Sequence, residues 1–181
     1  MSTLKLRELI KSFKDLKYSD NTFNSKAHEQ SVENIIINSG FTLKTKLEPT
    51  KNYCYLNQPN GSQNPPDFRV FDNKYYIDIE CKSKKTGYKP MWNCSIPDSS
   101  TFYIFTNQKD NETLIIEGKH ITTPILEKHL NEYKEATKLL ENQHNKILKN
   151  LNEIDNPYNI SVYARNMFVQ NKHFDKNDNY N

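Results

Sequence analysis

The stretch PDFRVFDNKYYIDIECK, residues 66–82, contains the strongest structural signal in this chain. Its two halves, residues 66–71 and 75–82, are rich in aromatic and β-branched residues, and the turn formers Asp72-Asn73-Lys74 separate them. Short runs of this kind, bounded by turn residues, are typical of strands. The stretch therefore predicts a β-hairpin.

The second predicted strand has two chemically different faces, because successive side chains of a strand point to opposite sides. One face is apolar and the other is charged: Ile77, Ile79 and Cys81 against Asp78, Glu80 and Lys82. The pair Pro66-Asp67 opens the partner strand, so a third carboxylate can reach the charged face. A solvated strand without a function is the alternative, but this strand is too apolar for a loose sheet edge.

Two motifs in this hairpin carry a resemblance to a known family. Pro66-Asp67 followed by Glu80-Cys81-Lys82 resembles the PD-(D/E)XK nuclease motif, and the flanking runs at 61–65, 83–85 and 89–93 are similar to type II restriction endonucleases of that superfamily. The resemblance covers the middle of the chain. It implies an α/β fold with a restriction-endonuclease-like core, in which a central mixed sheet of about four to five strands is flanked by helices.

The resemblance assigns catalysis to Asp67, Glu80 and Lys82. It makes Asp67 and Glu80 ligands of Mg²⁺, with the backbone carbonyl of Cys81 as an additional ligand. This chemistry is reasonable, because Mg²⁺ prefers oxygen ligands and lowers the pKa of a bound water beside a phosphate. Lys82 shares a strand face with Glu80, where it would orient the attacking water and offset charge in the transition state. The side chain of Cys81 faces the core and is predicted to be a packing residue.

A helix predicted at residues 26–38, closed by Gly40, precedes the hairpin. Its Glu29 and Glu33 are four residues apart and share one face. The resemblance implies that a glutamate from this leading helix supports the metal site. The sequence leaves open which of the two does so, and two solvated glutamates are the alternative. His28 is predicted to lie at the surface.

Asp78 is a further supporting candidate beside the predicted site. It lies two residues from Glu80 on the same strand face, about 6.6 Å along the strand. This distance is too long for one Mg²⁺ to bind both carboxylates directly. Asp78 is therefore a ligand of a second metal, a partner of a lysine such as Lys74 or Lys84, or a solvated residue, and a supporting role is favoured.

Polar and basic residues around the two motifs are predicted to contact DNA. They are Ser62, Gln63, Ser83, Lys84, Lys85, Lys89, Trp92 and Asn93. Hydroxyl and amide groups can bind phosphates or bases, and lysines attract phosphates. A polar loop and a solvated run of charges are the alternatives.

The length of 181 residues favours a single domain, 1–181. Within it, periodicity predicts an N-terminal helix at 2–18, a catalytic core at 26–122, a long helix at 124–154 and a C-terminal extension at 157–181. Further strands are predicted at 41–47, 101–106 and 113–117, residues 48–65 are predicted to be a long loop, and a short helix is predicted at 162–174.

The predicted long helix begins at Thr123-Pro124, an N-cap followed by proline at the first helical position. Its apolar residues follow a heptad pattern: Leu126, Leu130, Tyr133, Thr137, Leu140, His144, Ile147, Leu151 and Ile154. The pattern predicts either a surface helix packed on the body of the protein or a helix that associates with a second copy.

The composition fits an intracellular nucleic-acid enzyme. The net charge of +3 permits binding to nucleic acid without requiring it. The three cysteines form no CxxC motif, which favours a reducing, cytoplasmic location. No apolar run approaches the roughly 20 residues that a membrane span needs, so no membrane partner is expected.

Together these features predict a Mg²⁺-dependent, site-specific endonuclease of double-stranded DNA, a type II restriction enzyme that leaves 5′-phosphate ends. Such an enzyme is expected to act as a homodimer, since a two-fold DNA site matches a two-fold protein, and to accompany a cognate DNA methyltransferase in its host. Two alternatives stay open: a structure- or end-directed DNA nuclease of the same fold, and a non-catalytic nucleic-acid-binding protein.

Overall fold

The computed structural model describes residues 3–17, 25–45, 53–62, 64–93, 95–164 and 167–180. The helices of this described part are α1 (Leu4–Ser12), α2 (Ser25–Asn38) and α3 (Pro124–Lys149). The strands are β1 (Thr42–Leu43), β2 (Cys54–Asn57), β3 (Phe68–Phe71), β4 (Tyr76–Lys84), β5 (Met91–Asn93), β6 (Thr101–Asn107), β7 (Glu112–Glu117) and β8 (Met167–Val169). Single 3₁₀ turns lie at Phe13–Asp15, Gly118–His120 and Lys176–Asp178. None of the described helices has both the length and the apolar character needed to cross a membrane.

A mixed six-stranded sheet in the order β1-β2-β3-β4-β6-β7 forms the centre of the fold. Strands β1 and β2 are parallel, as are β4 and β6, and the other neighbours are antiparallel. This arrangement confirms the predicted α/β class and mixed sheet. The sheet is wider than predicted because residues 54–57, predicted to lie in a long loop, pair with β3 as β2.

The predicted hairpin is confirmed as β3 and β4. Phe68 pairs with Ile79 and Arg69 with Asp78 across the hairpin. Beyond β3, β4 continues alongside β6, so it has neighbours on both sides. A strand in this central position holds its side chains firmly, which makes it a suitable base for a functional site.

The two faces of the sheet are covered differently. Helices α1 and α2 pack on one face, where the main core contains apolar residues from both helices and from β3, β4, β6 and β7: Leu6, Leu9, Ile10, Val32, Ile36, Val70, Ile77, Ile79, Ile104 and Ile115. On the opposite face a smaller cluster of Trp92, Tyr103, Leu114 and Ile116 packs against Phe168 and Phe174. The charged side chains of β4 point to this second face.

The helix boundaries at the start of the chain largely match the predictions. Helix α1 begins after Thr3, whose hydroxyl accepts a hydrogen bond from the N–H of Leu6, and it continues into a 3₁₀ turn. Helix α2 is followed by Gly40, whose positive φ of 84° is the left-handed conformation that commonly closes a helix.

The C-terminal predictions are partly wrong. Helix α3 begins at Pro124 as predicted but ends at Lys149, five residues before the predicted end at Ile154. The short helix predicted at 162–174 is absent from the described residues in that range, and Met167–Val169 forms β8 instead. This segment pairs with β5 and half-buries only its central Phe168, a period-two pattern that suits a strand rather than a helix.

Candidate active site

Three side chains from the hairpin meet at one cleft on the second face of the sheet. Glu80 and Lys82 project from β4, and Asp67 lies just before β3. The Lys82 ammonium donates a hydrogen bond to Glu80 Oε1 at 2.7 Å, and the N–H of Cys81 donates to Asp67 Oδ2 at 2.7 Å. All three residues line the same cleft, which has a volume of about 830 Å³. The alternation read from the sequence therefore places these side chains together.

The carboxylates of the cleft are crowded and poorly hydrated. Burial and the neighbouring Glu80 raise the pKa of Asp67 to about 7. The same two causes raise the pKa of Glu29. Like charges held together in a desolvated place favour the protonated form, unless a cation joins them. The cleft therefore has an electrostatic preference for a positive ion.

Glu80 has one carboxylate oxygen without a partner. The residue is 7% exposed, and Oε2 is buried with no hydrogen bond, while Oε1 is bound to Lys82. A buried, unsatisfied carboxylate oxygen is costly, so it signals a missing ligand or water. Hard oxygen donors of this kind fit Mg²⁺.

The donor set is small. No cluster of three or more His, Cys, Asp or Glu side chains suited to a metal ion occurs among the described residues. Mg²⁺ does not require such a cluster, because it commonly binds through one or two carboxylates and completes its shell with waters and substrate phosphate. Asp67 and Glu80 are the two carboxylates that fit this role.

Cys81 lies between Glu80 and Lys82 in β4, and its side chain points to the other face of the strand. Its side chain packs against the main core, as predicted. Burial raises the pKa of its thiol well above the ordinary value, so the side chain is an inert packing group. Its N–H fixes Asp67, and the role of its carbonyl as a metal ligand stays a prediction.

Asp78 is bound to a neighbour that the sequence did not suggest. Arg69, its cross-strand partner, donates two hydrogen bonds to its carboxylate, at 2.6 and 2.8 Å. The predicted lysine partners Lys74 and Lys84 do not supply this contact. Both oxygens of Asp78 are therefore used in a bidentate ion pair, which favours a structural role over metal binding.

The two glutamates of α2 have different surroundings. Glu29 lines the cleft beside Glu80 and Lys82. Glu33 instead accepts hydrogen bonds from Tyr55 at 2.8 Å and Asn57 at 3.2 Å, so it connects α2 to β2. Of the two candidates, Glu29 is thus the one placed to support the site.

His28, next to Glu29, is not at the surface as predicted. It is 1% exposed, and its Nε2 lies 3.0 Å from the carbonyl oxygen of Ile104. The prediction failed because the first turns of α2 lie over β6, a contact that sequence spacing does not reveal. Burial lowers the pKa of His28, so the ring is held in its neutral form.

The residues predicted to contact DNA separate into two groups. Ser62 and Asn93 line the cleft. The second group does not line the cleft: Ser83, Lys84, Lys85 and Lys89. Gln63 lies outside the described residues.

Trp92, which was predicted to contact DNA, is buried. It is 3% exposed and packs edge-on against Tyr103. The Nζ atom of Lys82 lies 5.6 Å from the centre of its ring. The ring of Trp92 therefore packs near the Lys82 ammonium. Trp92 is buried because β5 pairs with β8, which the sequence did not predict.

The opposite wall of the cleft comes from parts of the chain that sequence reasoning had not assigned to the site. Lys134, Thr137, Lys138 and Glu141 of α3 line it, together with Tyr163 and Ala164. The other three residues of α3 lie three, four and seven positions after Lys134, so the four share one helix face. The sequence signal that could have identified this wall is the spacing of Lys134 and Lys138, which places two lysines on one polar face of the helix.

Comparison of the chain with protein-family models, with curated proteins and with solved structures found no match.

Proposed function

We propose that this protein is a Mg²⁺-dependent DNA endonuclease that hydrolyses phosphodiester bonds and leaves 5′-phosphate ends. The observation that carries the proposal is the unpartnered, buried oxygen of Glu80, which lies in one cleft with Asp67 and Lys82. An ion pair kept only for stability would have no need of a second buried carboxylate at the same place. The resemblance to PD-(D/E)XK nucleases supports the same assignment of roles.

In this proposal Asp67 and Glu80 hold the metal, with the Cys81 carbonyl as a further ligand. When bound, Mg²⁺ supplies charge neutralisation of the phosphate and a more acidic water. A water oxygen would attack phosphorus and lose one proton to solvent, the bond from phosphorus to O3′ would break, and the leaving 3′ oxygen would take up a proton, so that one water is consumed for each bond cleaved.

Lys82 and Glu29 have supporting roles in the same reaction. Lys82 is held by Glu80 and backed by Trp92, so its ammonium has a fixed direction. A preorganised cation at this point stabilises the extra negative charge of the transition state. Glu29 is close enough to make the electrostatic potential of the cleft more negative, so it strengthens the attraction for a cation.

Two narrower functions are compatible with this chemistry. Site-specific cleavage of duplex DNA, with a homodimer and a methyltransferase in the host, is the one that the resemblance favours. Structure- or end-directed cleavage is favoured by a specific observation, the second wall of the cleft formed by α3 and residues 163–164. A non-catalytic DNA-binding role would leave the buried Glu80 oxygen without a purpose.

The test is direct incubation of the purified protein with DNA. Supercoiled plasmid, linear duplex and single-stranded circular DNA are each treated in Mg²⁺ and in EDTA, and the products are sequenced at their ends. The proposal predicts cleavage only with Mg²⁺, and 5′-phosphate ends that ligase accepts. Intact DNA in every Mg²⁺ reaction would contradict it.

A further inference from the structure

The candidate active site lies between two walls rather than on an open surface. One wall carries Glu80 and Lys82 of β4, and the other carries Lys134 and Lys138 of α3. The space between them is about 830 Å³. This volume falls within the roughly 300–1,000 Å³ of clefts that enclose small ligands.

The reactive groups lie deep in this cleft. Glu80 is 7% exposed, and the side chain of Lys82 is 16% exposed. In duplex DNA every phosphate lies on a wide, convex cylinder, and a bound duplex covers about 1,000–2,500 Å² of protein surface. A cleft of about 830 Å³ is too small to take up such a cylinder, whereas a single strand is thin and flexible enough to enter it.

An exposed aromatic side chain lies on a part of this cleft whose backbone is held in place. Tyr163 lines the cleft and is 75% exposed. The backbone of its neighbour Val162 exchanges two hydrogen bonds with the side chain of Asn145, at 2.7 and 2.9 Å. On the other side, the N–H of Ala164 donates to Glu141 Oε2 at 3.1 Å. Two residues of α3 thus hold the backbone around Tyr163 while its ring stays open to solvent.

The buried residue of α3 serves this arrangement. Glu141 is 9% exposed, receives the N–H of Ala164, and is also paired with Lys138 at 2.8 Å. A carboxylate in the most protected position of a helix is unusual, since helices normally bury apolar side chains. Through these contacts α3 holds the backbone of residues 162–164, which include Tyr163.

The same cleft also offers a cation. Lys134 lines the cleft and forms no ion pair or hydrogen bond with another residue of the described chain. Proteins that hold single strands combine such cations with exposed aromatic rings, on which bases stack. The cleft offers both, together with polar contacts from Ser62 and Asn93.

We infer that the DNA enters this cleft as a single strand, with a base stacked on Tyr163 and a phosphate held by Lys134. The inference rests on the nuclease function proposed above and specifies its substrate: single-stranded DNA, or the unpaired part of a branched or frayed duplex. Duplex DNA would be cut only where a strand is free to leave its partner.

The test measures binding apart from cleavage. A labelled single strand of about 12 nucleotides, and the same strand in a blunt duplex, are titrated in Ca²⁺ and followed by fluorescence anisotropy. We expect the single strand to bind about tenfold more tightly than the duplex. Tyr163→Ala should weaken single-strand binding by at least about fivefold, and Tyr163→Phe should bind like the wild type.

Tyr158→Ala is the matched control, because Tyr158 is 88% exposed on the same segment and does not line the cleft. Equal or tighter binding of the blunt duplex would overturn the inference, as would equal affinities of Tyr163→Ala and Tyr158→Ala. Parallel reactions in Mg²⁺ separate this outcome from failure of the proposed function. Cleavage of blunt duplex without single-strand preference overturns only the inference, whereas preferential single-strand binding without cleavage supports the inference and contradicts the nuclease.

Discussion

At the scale of single residues, the two oxygens of Glu80 have unlike environments. Oε1 is bound to Lys82, and Oε2 is buried without a partner. Asp78, two residues away on the same strand, has both oxygens bound by Arg69. Two carboxylates on one strand face thus differ in their hydrogen bonds: Asp78 is fully paired, and Glu80 keeps one oxygen unpaired.

The Arg69–Asp78 pair gives the first prediction. Asp78→Asn removes a charge from a bidentate, partly buried pair, so it should lower the free energy of unfolding by about 1.5–3 kcal/mol. It should reduce single-turnover cleavage by no more than about tenfold, because Asp78 does not hold the metal. Urea denaturation and cleavage time courses at saturating Mg²⁺ measure the two effects. Complete loss of cleavage in a folded Asp78→Asn variant would mean that Asp78 is a primary ligand.

His28 gives a prediction on pH and stability. Burial lowers its pKa in the folded protein below 6.5, so the unfolded chain binds the proton first as the pH falls through 6.5. Stability therefore decreases below this pH and is restored above it. His28→Gln retains a donor for the Ile104 carbonyl but cannot be protonated, so its stability should fall less between about pH 7.5 and 5.5.

Thermal denaturation of both proteins over this pH range is the measurement. Asp67 contributes the opposite trend, because its raised pKa gives stability that is lost as the pH rises towards 7. It is present in both proteins, so the difference between them isolates His28. Identical pH profiles for wild type and His28→Gln would contradict the buried, neutral state.

Sequence reasoning at this scale succeeded where local geometry decides the outcome. The period-two alternation of a strand placed Glu80 and Lys82 on one face and Cys81 on the other. It failed for His28 and Trp92, because their environments depend on which distant segment packs against them, and it did not identify Arg69 as the partner of Asp78. The cross-strand partner of Asp78 follows from hairpin register, which the turn sets.

At the scale of elements, α3 departs from what its pattern suggests. Its heptad spacing was correctly read, but Leu126, Tyr133, Leu140 and Ile147 are 42–59% exposed. Tyr133 of this stripe packs edge-on against Phe168 of the C-terminal segment, while the polar residues Lys134 and Glu141 line the cleft. Periodicity identifies a stripe but not the surface it meets, so the role of this helix as a cleft wall could not be predicted.

The charged face of α3 gives a prediction on salt dependence. If Lys134 holds a phosphate, Lys134→Ala should reduce the slope of log K against log salt by about 0.7 for a single strand. Lys146→Ala is the matched control, since Lys146 is an exposed lysine of the same helix that does not line the cleft. Anisotropy titrations at several salt concentrations measure the slopes. Equal slopes for the two variants would remove Lys134 from the binding site.

Across the whole protein, the two faces of the central sheet are covered differently, and the proposed active site lies on one of them. Helices α1 and α2 bury one face in the main core. The other face meets α3 and the C-terminal segment and contains the cleft. Hydrophobic patterning was sufficient to predict the mixed sheet, but the enclosure of the cleft depends on contacts between residues far apart in the chain. The proposed preference for single-stranded DNA could therefore not be predicted from the sequence.

The exposed stripe of α3 gives a prediction on assembly. Leu126, Tyr133, Leu140 and Ile147 recur every seven residues, and such a stripe is stabilised by packing against a second helix. We expect a homodimer, with about twice the mass of the chain by light scattering at micromolar protein. Leu140→Glu combined with Ile147→Glu should give a monomer. A wild-type monomer with and without DNA would contradict the prediction.

Glu80→Gln tests whether Asp67 and Glu80 hold the metal that the proposed phosphodiester hydrolysis needs. The substitution keeps the shape of the side chain and removes its charge. Single-turnover cleavage is followed in Mg²⁺ on a labelled DNA with a single-stranded tail, beside an exposed control, Glu153→Gln. The account predicts that Glu80→Gln binds this DNA but does not cleave it, while Glu153→Gln cleaves like the wild type. Wild-type cleavage by a folded Glu80→Gln variant would contradict it.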